Sequence, residues 1–468
     1  MALLALSPFI VVSTAGQLIQ PQLLASLHTS TFGIELTNAL ANAGYAFGAV
    51  LAADLIQRLP ARRLYLACEI AFVAGSLLSA FSGNLAEFLV GRAVQGLATG
   101  MLLVAALPPL VTRFGVGKLP ATAAVIDLGL FGMVTVGPLV GALSAGGQHW
   151  RVLFVVLAGL AVLGIVCGLL GFSGGEQTSD IGFDWSAIPV AFAAAVLPFL
   201  GVAWAVRDGF TSPGFLVPVI VGVLVLLLLL FRQYRKDEAL MPLKMIAHTL
   251  PVTGIIVAMT AGAAVTALVE LDLVYLLEAQ KETPLTAGAT LTTQVGGVIA
   301  AAWLFARAIR TRWLPALAVL GLIVVGGGGA LLLALTPGRA IWLTALVGVL
   351  LGFGAGAGVS PALFMAGLSA PSDRLGPTFA LVELLRSEAA YLVAPVVLQI
   401  ALLQPHLGDG VTVGALISIG VCVLGLACGL PVLLLSGVRP HAPDLSRWLD
   451  EHEPAYHSPP VAAAVRDV

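Results

Sequence analysis

The chain has 468 residues, 59% of them apolar and only 10% charged, with a formal net charge of −2 and a mean hydropathy of +1.03. An ordinary soluble domain is roughly 25% charged. Too few charges remain here to solvate a surface or track phosphates, which excludes a disordered chain, a soluble enzyme and a nucleic-acid-binding module. The apolar runs are continuous rather than alternating, so the composition points to membrane helices and away from a membrane β-barrel.

Fourteen such runs follow one another at 3–26, 34–57, 64–82, 87–112, 120–144, 150–172, 185–206, 214–232, 250–276, 285–306, 313–335, 340–368, 376–403 and 409–436. In lipid each must be a helix, because an unpaired backbone is too costly there. The opening MALLALSPFIVV has no basic flank and no small-residue cleavage site, so it reads as an uncleaved first span. From Arg439 the chain turns charged and proline-rich, as a short extramembrane tail. Cys68, Cys167, Cys422 and Cys428 lie inside apolar runs without metal-ligand spacing and read as packing residues.

Basic residues test this count. With a cytoplasmic N-terminus, the inside loops and the tail hold 16 of the 22 lysines and arginines. They are Arg58, Arg62 and Arg63; Arg113 and Lys118; Arg232, Arg235, Lys236 and Lys244; Arg307, Arg310 and Arg312; Arg374; and Arg439, Arg447 and Arg466. Outside loops hold only Arg151, Arg207, Lys281 and Arg339, while Arg92 and Arg386 lie within spans. This positive-inside bias supports the orientation and an even number of spans.

Features recur eight spans apart. The basic loop after span 2 matches the one after span 10, and LVGRAVQGLATG in span 4 is matched by LVGVLLGFGAGAG in span 12. Two pseudo-symmetric six-helix halves, 1–172 and 250–437, with a two-helix insertion and linker at 173–249 and a cytoplasmic tail at 438–468, form the expected all-α polytopic architecture. Such repeats place a substrate site near the membrane midplane.

These motifs resemble the major facilitator superfamily, most closely its fourteen-helix drug:proton antiporters. The resemblance runs from span 1 to span 14. In span 4, FLVGRAVQGLATG matches the family pattern through Arg92, Gln95, Gly96 and Gly100. LAADLIQRLPARRLYL is similar to the gating loop, with Asp54 as its acid and Arg58, Arg62 and Arg63 as its bases. FGMVTVGPLVGAL in span 5 resembles the antiporter motif through Gly137, Pro138 and Gly141. In span 1 the family's acid position holds Val12, followed by Thr14, Gln17 and Pro21.

A charge at the centre of a membrane helix costs about 2.5–3.5 kcal/mol on insertion scales, so every intramembrane charge is a candidate. Arg92 lies roughly 10 Å from the midpoint of its span at the helical rise per residue. It either polarises a proton-carrying group, as the family motif implies, or tethers a neighbouring helix. Asp127 in span 5 has no basic residue one turn away and is either protonatable or a structural acid. In span 13, Glu383 and Arg386 are spaced to pair, which leaves Glu388, almost at the midpoint, without a local partner. Glu388 is therefore the leading proton-coupling candidate, with Asp127, Arg92, Glu383, Arg386 and Glu270 beside it. Asp272 is expected to reach the outer surface with Glu278 and Glu282. Thr14, Gln17 and Gln20 in span 1, Gln95 in span 4, and Thr293 and Gln294 in span 10 either line a wet cavity or join helices. Asp54 with its three arginines reads as a cytoplasmic latch, with Asp373 and Arg374 as candidate partners.

No phosphate-binding loop with Lys, nucleophile elbow or zinc-protease motif occurs, and the histidines make no ligand pair on a shared intramembrane face. An intramembrane enzyme and a transport-dead receptor are the lesser readings. The leading one is a secondary transporter, a proton-coupled efflux carrier of small lipophilic or cationic compounds working by alternating access. Uptake, or export of a lipid or metabolite, stays open as an alternative. The expected setting is the inner (plasma) membrane, with both termini cytoplasmic, as a monomer. Its expected partners are the bilayer, a small-molecule substrate and protons, with no nucleic acid, no metal and no cofactor beyond the proton gradient.

Overall fold

The structure, a computed structural model, describes residues 2–145, 149–171, 184–236, 239–335, 340–434 and 441–464. Among these residues there is no strand, and fourteen long helices follow in order. They are α1 Ala2–Ser26, α2 Thr31–Leu55, α3 Ala61–Phe81, α4 Leu85–Thr112, α5 Leu119–Ala145, α6 Trp150–Gly171 and α7 Ala187–Asp208. After α8 Pro213–Arg235 come α9 Thr249–Val274, α10 Pro284–Ala308, α11 Leu314–Leu332, α12 Ala340–Leu368, α13 Leu375–Leu402 and α14 Leu407–Leu434. Twelve are long and apolar enough to cross a membrane. The other two, α2 and α13, are as long but carry the acids Glu35 and Asp54, and the cluster Glu383, Arg386 and Glu388, respectively.

Local chemistry sets the starts. Ser30 caps α2 by accepting from the Gly33 N–H, and Ser212 and Thr283 cap α8 and α10, each followed by a proline at the first helical position. Proline loses nothing there, since that N–H has no intrahelical partner. α10 departs from the single smooth span expected. It breaks at Thr292–Thr293, where the Thr293, Val295 and Gly296 amides donate three residues back instead of four. The Thr293 hydroxyl bonds the Thr290 carbonyl and reaches the Ala345 carbonyl of α12 at 2.8 Å, which fixes the break. α9 ends in a π-helical turn, Tyr275–Ala279.

Contacts divide the chain into two compact units, Met1–Pro109 with Val140–Met241, and Leu110–Leu139 with Pro242–Val468. In the first unit α3 packs on α6, α1 on α6, α2 on α7, and α7 on α8. Its core is aromatic: Phe9 stacks on Tyr45 at 5.6 Å, and Phe88 meets Trp150 and Phe154 edge-on. Beside the α7–α8 hairpin, Lys236 lies 2.8 Å from Asp184. Burial works upward on that carboxyl, but Lys236, Ser186 and Gln233 outweigh it and hold it below the usual carboxylate range.

In the second unit α9 packs against α11, α12, α13 and α14, and α12 packs on α10 and α11. Small residues allow backbones to approach where no hydrophobic drive acts between helices in lipid. In the first unit, a methyl on Gly96 or Gly100 of α4 would stand only 1.8 or 2.0 Å from the Ala41 or Tyr45 carbonyl of α2. In the second, one on Gly352 of α12 would stand 2.1 Å from the Gln294 carbonyl of α10, and one on Gly297 would stand 1.9 Å from the Val349 carbonyl. Tyr45, Gly48 and Arg58 stand at one common offset from Gln294, Gly297 and Arg307. The helix crossings thus recur eight spans on, together with the basic loops.

Residues 441–464 fold back onto the second unit. Trp448, in the short helix α15 Leu445–Asp450, is fully buried and donates from its indole to the Ala370 carbonyl at 2.9 Å.

Candidate functional site

The second unit holds most of the intramembrane charge. On α13, Glu383 accepts from the Arg386 Nε at 2.9 Å and from a second guanidinium nitrogen, with Ser387 also donating to it. The i, i+3 pairing read from the sequence is present. The Arg386 stem lies over Gly262 of α9, whose missing side chain makes room for it. Glu388, 2% exposed, has no hydrogen-bond partner on either carboxylate oxygen.

Asp127 of α5 is fully buried in the same unit. It accepts from the Ser360 hydroxyl of α12 at 2.6 Å through one oxygen, while the other has no partner. That second oxygen would be 2.8 Å from a methyl on Gly356, as would the methyl of Ala301 on α10. The glycine therefore leaves the space that the carboxyl occupies between helices.

The first unit holds Arg92, 3% exposed. Its guanidinium lies 5.3 Å from the Phe9 ring centre and 5.9 Å from that of Phe154. It donates to Gln95 at 2.8 Å, and Gln95 donates to Ser76 of α3 at 2.7 Å. Cation–π contacts of this kind hold a desolvated charge in place. Asp54 forms a two-point pair with Arg58, within its own motif, at 2.9 and 3.0 Å. Arg62 reaches the Leu169 carbonyl at the end of α6, and Arg63 is exposed.

Residues 1–183 match the model of the Major Facilitator Superfamily. The chain is 28% identical over 281 residues to the MFS-type transporter YubD of Bacillus subtilis, a match covering 58% of this chain and 53% of that protein. The match thus spans about half of YubD's length. It is 26% identical over 372 residues to the drug efflux pump JefA of Mycobacterium tuberculosis, covering 78% of this chain and 72% of the pump. Over its first 183 residues the chain is thus similar to the major facilitator superfamily. The human organic anion transporter MFSD10 superposes with a TM-score of 0.62 at 15% identity, over 91% of this chain and 98% of that one. A peptide transporter, POT, gives 0.62 at 16%, over 92% and 94%. These two likenesses establish the fold.

Other candidate residues fall at helix crossings. Thr14 turns its hydroxyl to the Ile10 and Val11 carbonyls, and Gln17 and Gln20 are half-buried on α1. Gly141 packs against Ala15 of α1, where a methyl would stand 2.7 Å from the carbonyl oxygen. Gly137 and Pro138 are buried within α5. Thr293 and Gln294 sit at the α10–α12 crossing, with the Gln294 amide nitrogen buried and unpartnered. Glu270 is half-buried.

Two acids were misplaced or missed by the sequence reading. Asp272 does not reach the surface. It is fully buried with neither oxygen partnered, and lies on the same face as Leu268, Leu271, Tyr275 and Leu276. That i, i+3, i+4 stripe was the available signal. Glu69 of α3 is likewise fully buried, against Gly164 of α6 and near Tyr65. A count of every acid inside a span, rather than of those near the midpoint, finds it.

Proposed function

We propose that this chain is a major facilitator superfamily transporter, a proton-coupled antiporter of the fourteen-helix kind that exports small lipophilic or cationic compounds. The observation that carries the reading is Glu388, buried at mid-helix with both oxygens unpartnered. An ionised carboxylate buried without partners is costly, and it survives by exchanging a proton when water or a cation reaches it. That exchange is what couples a proton gradient to a solute. Each proton crossing gains about 2.3 kcal/mol per 100 mV of membrane potential. Asp127, with one oxygen held by Ser360 and the other free of partners, is the second carrier in this account. Similarity to the drug efflux pump JefA supports export and a drug-like substrate.

In this reading the chain lies in the plasma membrane as a monomer with both termini in the cytoplasm, built as two six-helix halves flanking the α7–α8 insertion. The test is accumulation of ethidium, a lipophilic cation, in proteoliposomes driven by an imposed pH gradient. Wild type is expected to accumulate the dye only with the gradient. Glu388→Gln loses gradient-driven accumulation but keeps dye counterflow. Accumulation indifferent to the gradient in both proteins overturns the proposal.

A further inference from the structure

At one end of the first unit, α3 stops at Phe81, α4 starts at Leu85 and α6 starts at Trp150. Between them opens a groove of about 520 Å³ lined by Ala80, Phe81, Ser82, Gly83, Arg151 and two valines of α6. Its wall is apolar and outward-facing: Phe81 is 75% exposed, and Val152 and Val155 are exposed as well. Arg151 stacks on the Trp150 ring at 4.4 Å and donates from one nitrogen to the Ala80 and Ser82 carbonyls. Its other guanidinium nitrogens remain as donors. One residue along the same turn, the Gly83 N–H donates to the exposed carboxylate of Glu87 at 2.7 Å, and Asn84 donates to its other oxygen. A fixed cation and a fixed anion thus flank the Ser82–Gly83 turn, above an acyl-chain wall and at the depth where spans end and headgroups begin.

We propose that this groove binds an aminophospholipid, with its phosphate on Arg151, its primary ammonium on Glu87 and an acyl chain along Phe81, Val152 and Val155. The opposed charges match a headgroup carrying both signs, and a guanidinium suits a phosphate. The proposal does not depend on the transport reading. The test is native mass spectrometry of the full chain titrated with phosphatidylethanolamine, phosphatidylglycerol and phosphatidylcholine. Wild type is expected to retain phosphatidylethanolamine at least fivefold better than phosphatidylcholine. Arg151→Gln, which keeps an amide donor for the carbonyls, weakens phosphatidylethanolamine and phosphatidylglycerol alike by about tenfold. Glu87→Gln, which still accepts from the Gly83 N–H, weakens phosphatidylethanolamine alone. Equal retention of the three lipids by wild type, or phosphatidylethanolamine binding unchanged in Arg151→Gln, overturns it.

A separate set of contacts concerns residues 441–464. Besides the buried Trp448, the Ala455 and Tyr456 amides donate to the Leu368 carbonyl, and the Ser372 hydroxyl meets His452 Nδ1 at 2.6 Å. The Thr249 amide donates to the Pro459 carbonyl, and the Val461 amide to the Ala247 carbonyl. Helix α15 also packs on the Val116–Lys118 turn between α4 and α5, which Arg310 bonds as well. We infer that this segment is a strap restraining the α4–α5 and α12–α13 turns, and that the transport cycle proceeds through its release. The second clause rests on the transport reading. Hydrogen exchange on a chain ending at residue 440, and on Trp448→Ala, is expected to lose at least tenfold protection at 116–119 and 368–374. Ethidium counterflow by the same proteins is expected to speed severalfold. Unchanged protection overturns the strap. Lost protection with unchanged counterflow overturns its role in the cycle. A full-length chain that moves no dye refutes the transport reading while exchange still tests the strap.

Discussion

The α2–α4 crossing permits a worked test of the packing account. Gly96 faces a backbone oxygen, that of Ala41, and an added methyl lies 1.8 Å from it. Carbon and carbonyl oxygen settle at about 3.3 Å, so the helices must part by about 1.5 Å along that line. No side-chain rotation relieves a clash with backbone. Gly44, Gly48 and Gly100 share the crossing, with added methyls at 2.8, 2.3 and 2.0 Å from the facing carbonyls, so parting at one position loosens all four. Overpacking of a tight core costs about 1–3 kcal/mol, and the rigid partner puts Gly96→Ala in the upper part of that range. For a unit of about 200 residues this lowers Tm by about 5–10 °C. The assay is thermal unfolding of the purified protein in detergent, followed by tryptophan fluorescence. Gly132→Ala, with no atom within 4 Å of the added carbon, is the control. A Gly96→Ala protein that melts with the Gly132→Ala control refutes the close-crossing argument.

Other outcomes follow from the same geometry. Arg386→Ala removes the two-point partner of buried Glu383 and is expected to cost about 3 kcal/mol, most of it recovered in the double variant with Glu383→Gln; unfolding of the four proteins in denaturant checks this. Gly356→Ala places carbon 2.8 Å from the free Asp127 oxygen and is expected to impair gradient-driven dye accumulation more than dye counterflow. The Asp184 carboxyl is depressed in the folded chain, so its stabilising contribution is present above the ordinary carboxylate pKa of about 3.9 and is lost as pH falls through the lower folded value. Melting of wild type should therefore fall below pH 4 more steeply than that of Asp184→Asn.

Much of the fold was legible because lipid leaves few choices. A continuous apolar run must be a helix, and the expected runs 120–144 and 376–403 differ by one residue at each end from α5 and α13. The Glu383–Arg386 pair was legible because i, i+3 spacing on a helix fixes proximity. The break in α10 was not, because it depends on Thr293 reaching the Ala345 carbonyl 52 residues away. The burial of Asp272 was not legible from its position near the end of a span, because the helical face it occupies sets it. The docking of residues 441–464 was illegible for another reason: a charged, proline-rich segment reads as solvated, and only tertiary contacts bury Trp448.

The central claim is that buried Glu388 exchanges protons against an exported solute. Proteoliposomes loaded with pyranine report internal pH as ethidium is added outside without an imposed gradient. The account predicts a dye-driven pH change inside wild-type vesicles and none in Glu388→Gln. A wild-type protein that carries ethidium with no pH change, or a Glu388→Gln protein with the full pH response, would contradict it.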